Sequence, residues 1–233
     1  MEEKALKFLE KDELLHIGMI FPIKRKTAQI IYAEEDGVLL KELKSNSYML
    51  SVDDFDLGKR LLELISNKKP FNAYQSFMVN YILEKFNLTK ILECFQAVYL
   101  RKDPLPLPEA KDLNIEKLSL NHLDLVFEHY NTYVDSDYLK NRIDAGEIYG
   151  GFLNETLYGF VGTHEEGSLG ILEIFPEYRK RGFGTILESF MINLCLKNGQ
   201  IPFGQIKTDN IKSLNLQKKL GMEISKGKTY WLF

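Results

Sequence analysis

The run Leu172-Glu173-Ile174-Phe175-Pro176-Glu177-Tyr178-Arg179-Lys180-Arg181-Gly182-Phe183-Gly184-Thr185 restricts what this chain can fold into more than any other stretch. The apolar segment ending at Phe175 suits a buried strand, Pro176 stops its ladder, and beyond Gly184 the residues Leu187, Phe190, Met191 and Leu194 recur at helical spacing. Strand must therefore turn into helix through a short basic connection holding two glycines. Gly182 and Gly184 permit a tight turn and a close approach, and the first turn of the helix leaves amide N–H groups unpaired. A helix N-terminus favours a negative group by about 0.3–1 kcal/mol, and Arg179, Lys180 and Arg181 surround it with positive charge. A pyrophosphate suits such a turn. No Gly-Lys-Ser/Thr follows it, and the spacing is not Gly-x-Gly-x-x-Gly, so neither the Walker loop nor the Rossmann fingerprint is present.

Overall charge narrows the partners. Thirty Lys and Arg against 33 Asp and Glu leave a net charge of -3, which does not favour nucleic acid or an anionic membrane. Apolar runs fall short of the roughly 20 residues that cross a bilayer, and no N-terminal signal pattern precedes them, so a cytoplasmic protein is expected. Cys94 and Cys195 form no Cys-x-x-Cys pair and read as buried thiols. The histidines show no metal spacing, so no metal site is expected.

Taken in order, residues 2–20 read as short helices, with Asp12 as a cap. Strands are expected at Ala28–Ala33, Val38–Leu43 and Tyr48–Val52, the first two joined through Asp36-Gly37, and Asp53 or Asp54 caps a following helix. Phe71–Tyr74 reads as strand, Gln75–Phe86 as helix and Leu92–Leu100 as strand. Pro104, Pro106 and Pro108 then forbid helix and sheet interior, which marks an extended linker and a boundary between domains 1–107 and 108–233. Beyond it come a strand at Asn114–Leu118, a helix ending near Tyr130 and a helix capped by Ser136. Tyr149–Leu153 and Leu157–Thr163 form a hairpin, followed by the strand Ser168–Phe175 and the long helix. Pro202–Thr208 is a strand and Ile211–Leu220 a helix capped by Asn210. Met222–Ser225 and Thr229–Phe233 are expected to close as a hairpin about Lys226-Gly227.

Arg179-x-x-Gly182-x-Gly184, preceded by Pro176-Glu177-Tyr178, resembles the Arg/Gln-x-x-Gly-x-Gly/Ala signature of the GNAT acyltransferase superfamily. A second match, Asn210-Ile211-Lys212-Ser213-Leu214-Asn215-Leu216-Gln217 through Gly221-Met222, resembles that superfamily's closing strand–helix–strand element. The resemblance covers about half the chain and implies an α+β fold, a mixed and mostly antiparallel twisted sheet flanked by helices. The Leu216-Gln217 spelling is similar to that of the glycine N-acyltransferase-like branch. Residues 1–107 repeat part of the element order but carry Asp53-Asp54-Phe55-Asp56-Leu57-Gly58 where the signature should stand, so they read as a degenerate or supporting module.

The resemblance implies an N-acetyltransferase that binds acetyl-CoA (coenzyme A) as co-substrate and acts on a small-molecule amine by direct attack in a ternary complex. Backbone groups of Ile174 and Phe175 would pair with pantetheine. Amides and side chains of Arg179, Lys180, Arg181, Gly182, Phe183, Gly184 and Thr185 would hold phosphates, and Asn210, Ser213 and Gln217 complete the cofactor set. Acyl transfer needs a base, oxyanion donors and a proton for the leaving thiolate. Glu173, the one carboxylate in an apolar strand, is the candidate base or else a structural carboxylate; His164, Glu165 and Glu166 offer a base acting through water or a solvated loop tip. Gln217 stands where the superfamily commonly has a Tyr acid; it can hydrogen-bond the sulfur but cannot protonate it. A non-catalytic coenzyme A sensor and an acetyltransferase for protein or peptide amines are the competing readings. Acceptor identity, acyl length and oligomeric state are open from sequence.

Overall fold

The computed structural model describes residues 1–66, 69–108, 112–130 and 135–233. The parts of the 108–233 domain reading that fall on 109–111 and 131–134 lie outside the described residues.

Helices α1 (Glu2–Leu9) and α2 (Glu13–Lys24) open the chain, α2 starting where the Asp12 carboxylate accepts from the Leu15 N–H at 3.1 Å. Strands β1 (Ala28–Glu34), β2 (Gly37–Glu42) and β3 (Ser47–Val52) follow. Asp54 caps α3 (Phe55–Leu62) through the Leu57 N–H at 2.9 Å. Next come β4 (Phe71–Ala73), α4 (Val79–Phe86) and β5 (Ile91–Val98), with Asn87 ending α4 in the left-handed region at φ 50. After the linker lie β6 (Leu113–Lys117), α5 (Leu123–His129), α6 (Ser136–Asp144), β7 (Ile148–Leu153), β8 (Thr156–Thr163) and β9 (Leu169–Ile174). Asp135, not Ser136, caps α6: Ser136 is already the first helical residue, and the Asp135 carboxylate one place before it accepts from the Tyr138 N–H at 2.8 Å. The chain continues through α7 (Phe183–Lys197), β10 (Phe203–Lys207), α8 (Ile211–Lys219), β11 (Glu223–Ile224) and β12 (Thr229–Leu232).

Two compact units emerge, and no single cut near residue 107 separates them. The first comprises 1–98, 205–214 and 223–233, the second 99–204 and 215–222. In the first unit β1, β2 and β3 run antiparallel, β3 and β4 parallel, and β12 lies between β4 and β5, antiparallel to both. Both faces of this sheet are buried, which is why β2 and β3 read as nearly continuous apolar runs. Helices α3 and α4 cover Leu39, Leu50, Phe71 and Leu232. Helices α1 and α2 cover Val38, Leu40, Met49 and Trp231.

The expected closing hairpin does not form. β11 pairs with Ala97 and Val98, β12 with Ile91 to Cys94, so both pieces run along the same strand, β5, rather than along each other. Residues Ser225–Lys228 bulge out between them. The Ser225 hydroxyl accepts the Gln96 N–H at 3.0 Å and donates to the Gly227 carbonyl at 2.7 Å, so Lys226-Gly227 turns a bulge, not a reversal.

In the second unit β6, β7, β8 and β9 form an antiparallel sheet, with α5 and α6 packed over Leu118, Ile148, Phe160, Ile171 and Phe175. The proline segment is tied down: Asn193 of α7 accepts from the Leu105 N–H at 2.7 Å and donates to its carbonyl at 2.9 Å. The fold is thus α+β, with a mostly antiparallel sheet in each unit. Among the described residues no helix is long and apolar enough to cross a membrane.

Leu232 is fully buried at the contact of β12 with β4 and β5. Leu232→Ala is expected to destabilise the first unit by about 2–5 kcal/mol. Urea unfolding followed by the fluorescence of Trp231, the one tryptophan of the chain, measures it; a loss under about 0.5 kcal/mol would contradict this role for β12.

Candidate functional site

Strand β9 carries the feature that shapes the site. Between the pairs Phe160–Glu173 and Gly162–Gly170, β9 has two residues, Ile171 and Leu172, where β8 has one, a bulge with Ile171 at φ 50. A β-branched residue in that region is strained, and burial of the Ile171 side chain together with a hydrogen bond between its backbone and Tyr130 hold it there. On its other edge β9 pairs in parallel with β10 at a single position, Leu169 with Gly204. Past that pair the two strands share no further rungs.

The connection after β9 makes one turn at Pro176–Tyr178 and enters α7 at Gly182. Lys180 and Gly182 both have positive φ, 61 and 87. No side chain caps α7, so the amides of its first turn have no partner from a cap. A Cβ added at Gly182 would meet nothing within 4 Å, and one at Gly184 would make only ordinary contacts, 3.7 Å to Ile174 and 3.8 Å to Leu216. The turn is an open cradle of N–H groups beside Arg179, Lys180 and Arg181, and it fits an anion.

Aromatic packing fixes where α7 begins. Phe183 stacks on Tyr158 with ring centroids 4.2 Å apart, and the Arg181 guanidinium lies over the Phe183 and Tyr178 rings at 5.0 and 5.6 Å. Burial pushes the Tyr158 hydroxyl up to about 12. Thr185 follows on the first turn of the helix.

Several expected ligand groups already serve the chain. Arg179 donates from Nε to the Ile174 carbonyl and from its terminal nitrogen to Glu173, both at 2.8 Å. Glu173 is therefore an ion-paired carboxylate, not one buried without a partner, and the desolvation argument for it as a base does not apply. The Phe175 N–H donates to the Tyr158 carbonyl at 3.0 Å and its carbonyl accepts from Tyr178 at 2.9 Å. Asn210 is the N-cap of α8, accepting from the Ser213 N–H at 3.1 Å, and both residues belong to the first unit.

Gln217, on the second unit's part of α8, is buried and donates from Nε2 to Glu188 of α7 at 3.1 Å. Sequence reasoning did not single out Glu188. A signal was available: from Phe183 to Leu196 it is the only charged residue, in a helix whose other polar positions are just Thr185, Ser189 and Asn193. Burial pushes its carboxyl up to about 7, against the opposing pull of the Gln217 hydrogen bond.

The alternative base cluster is not a solvated loop tip. Glu166 and Ser168 are buried and joined at 2.5 Å, and His164 Nδ1 lies 2.7 Å from the Tyr138 hydroxyl. Burial lowers the pKa of His164, so a neutral imidazole sits against Gly170, whose added Cβ would meet the ring at 2.6 Å. The pair stands beside the β9 bulge. Among the described residues no group of three or more His, Cys, Asp or Glu could hold a metal ion.

Residues 148–232, from the start of β7 to the end of β12, match the family described as FR47-like protein. No curated protein matches the chain in sequence. Among solved structures, a Drosophila protein is 15% identical with a TM-score of 0.72, over 100% of this chain and 95% of that one. A GCN5-related N-acetyltransferase-like protein from Streptococcus suis is 12% identical with a TM-score of 0.55, over 99% of this chain and 100% of the other. A tandem GNAT protein from the clavulanic acid biosynthesis pathway is 13% identical with a TM-score of 0.51, over 100% and 95%. At these identities the likeness is one of fold, and it runs the length of the chain. The chain thus has the fold of these GNAT proteins, and within it residues 148–232 match the FR47-like family.

Proposed function

We propose that the chain is a coenzyme A-dependent N-acyltransferase that moves an acetyl group from acetyl-CoA to the primary amine of a small metabolite or amino acid. The observation that carries this reading is the uncapped N-terminus of α7, entered through Gly182 at φ 87 with open space where a Cβ would stand. GNAT proteins typically use acyl-CoA and acetylate amines, which fits a cradle built for a pyrophosphate. The amides from Lys180 to Thr185 hold the phosphates, with Lys180 and Arg181 adding charge, while Arg179 stays tied to Glu173 and Ile174. Bound there, acetyl-CoA supplies an activated thioester, and the amine attacks it directly. The strand edge of β9 beyond Leu169, which lacks further pairing to β10, offers backbone groups to the pantetheine arm.

Glu173 takes the proton of the incoming ammonium, and Gln217 hydrogen-bonds the departing sulfur. In the first unit the corresponding place is closed. There β3 and β4 pair at three successive positions, the Tyr74 N–H extends the ladder to Leu50, and the Val52 N–H is taken by Gln75. Gly58, near the place of the signature glycines, is packed closed: an added Cβ would meet the Met78 sulfur at 2.5 Å. A second reading, coenzyme A binding without turnover, draws on the ion pair that occupies Glu173 and on Gln217 in place of an acid.

Calorimetric titration with acetyl-CoA, coenzyme A and a longer acyl-CoA tests the proposal. Wild type is expected to bind, and Gly182→Glu to bind at least about tenfold more weakly, since it places a carboxylate in an anion site. No binding by wild type would sink both readings. Release of free thiol on addition of amines separates them: Glu173→Gln is expected to lower kcat about 10²–10⁴-fold while keeping acetyl-CoA affinity, as loss of a general base does. Binding with no thiol release from any amine favours the sensor.

A further inference from the structure

Glu188 is 2% exposed, among the buried Leu187, Met191, Ile192 and Cys195 of its own helix. A carboxyl in such surroundings needs a reason, because burying an ionised one is costly unless it is paired and hydrogen-bonded. The influences on it are burial and one hydrogen bond, the Gln217 Nε2–H at 3.1 Å. The geometry on the Gln217 side is incomplete as well. Its Oε1 is buried with no hydrogen-bond partner. An amide side chain carries two N–H donors and one carbonyl, so Gln217 has one N–H committed to Glu188, a second N–H to give, and a carbonyl in want of a donor.

A neutral Glu188 supplies that donor. Its O–H, given to Gln217 Oε1 while the oxygen already bonded accepts from Nε2, would make a two-point acid–amide pair that leaves no buried polar atom of the amide orphaned. Ionised Glu188 has no proton to give, and its charge faces the amide carbonyl. The same two groups thus grip tightly in one protonation state and loosely in the other. Among titratable neighbours, Cys195 feels the Glu188 charge and that of Glu147, and burial holds its thiol up at about 12, so it stays neutral throughout.

We propose that Glu188 is a positioning residue for acyl transfer: it clamps the Gln217 amide so that the second Nε2–H is held for the leaving sulfur. The proposal rests on the N-acyltransferase reading. No bond to Glu188 forms or breaks in the reaction; its proton stays on the carboxyl and serves to hold the amide. Since the Glu188 carboxyl ionises near pH 7, the clamp loosens as pH rises through that range.

Two variants test it. Glu188→Gln keeps a two-point amide–amide pair at every pH, and Glu188→Leu removes the pair while filling the space. Dividing the wild-type kcat by that of Glu188→Gln cancels the titration of the amine, and this ratio is expected to fall about three- to tenfold from about pH 6 to about pH 8.5. KM for acetyl-CoA should change less than about twofold, and Glu188→Leu should be slow across the range. A readout without turnover is the nitrogen-15 resonance of the Gln217 side-chain amide. It should titrate with a midpoint near 7 in wild type and stay flat in Glu188→Gln. Stability gives the sign independently: a carboxyl raised from 4.5 to about 7 on folding destabilises the native state progressively between those pH values. The melting temperature of Glu188→Gln should therefore gain on wild type from about pH 4.5 to about pH 7 and then run parallel.

A Gln217 resonance that does not titrate in wild type overturns the proposal. So do identical pH–kcat profiles for wild type and both variants while thiol release is intact. Absence of thiol release by wild type with every amine sinks the acyltransferase reading, and the positioning role with it. The first two failures leave that reading standing.

Discussion

The second unit depends on holding the start of α7 in a place where its first amides stay free. Those amides are worth something to a ligand only if nothing in the protein satisfies them, so the helix must be fixed from the side rather than capped. A stack supplies the fixing. Phe183 lies on Tyr158, and Tyr158 in turn lies over Gly151 of β7, where an added Cβ would fall 2.2 Å from the ring. Position 151 must therefore lack a side chain so that Tyr158 can lie flat, and Tyr158 must lie flat so that Phe183 can set the helix. On the strand side the bulge at Ile171 lies between the single rung to β10 at Leu169 and the turn.

The two units put one order of elements to different uses. Each has antiparallel strands leading to a helix and then to a parallel strand. In the first the parallel ladder runs on and the glycine is packed against Met78; in the second the ladder stops after one rung and the glycine is open. The carboxylates Asp53 and Asp54 stand in the first unit near the place where the second has Arg179 and Lys180. Asp54 caps its helix with its own side chain, so the dipole at that end is already answered from within the protein.

How much could be read from the chain alone differs with the range of the interaction. The passage from β9 through Gly182 into α7 is local, written in Pro176, two glycines and a helical apolar period, and it was legible. So was the α+β order of the C-terminal half. The pairing of β12 was not, because Lys226-Gly227 has the chemistry of a turn while the partner that overrides it, β5, lies far away in the chain. The engagement of Glu173 by Arg179 is a side-chain choice that no spacing announces. Glu188 was hidden for another reason: one acidic residue in a helix is ordinarily its wet face, and only the scarcity of other polar residues in α7 and the apolar neighbours Leu187, Met191 and Ile192 mark it as dry.

The strand β12 also imposes an order of events. Gln96 and Ser225, hydrogen-bonded in the first unit, are 129 residues apart in sequence, and β12 is made later still. On a ribosome the strands β1 to β5 emerge with a gap between β4 and β5 that nothing yet made can fill. The edges of β4 and β5 stay unpaired through the whole synthesis of the second unit, a state prone to association with other chains. The second unit, which lacks only 215–222 when residue 204 has appeared, can assemble first. The half that begins the chain is in this sense the half that finishes last.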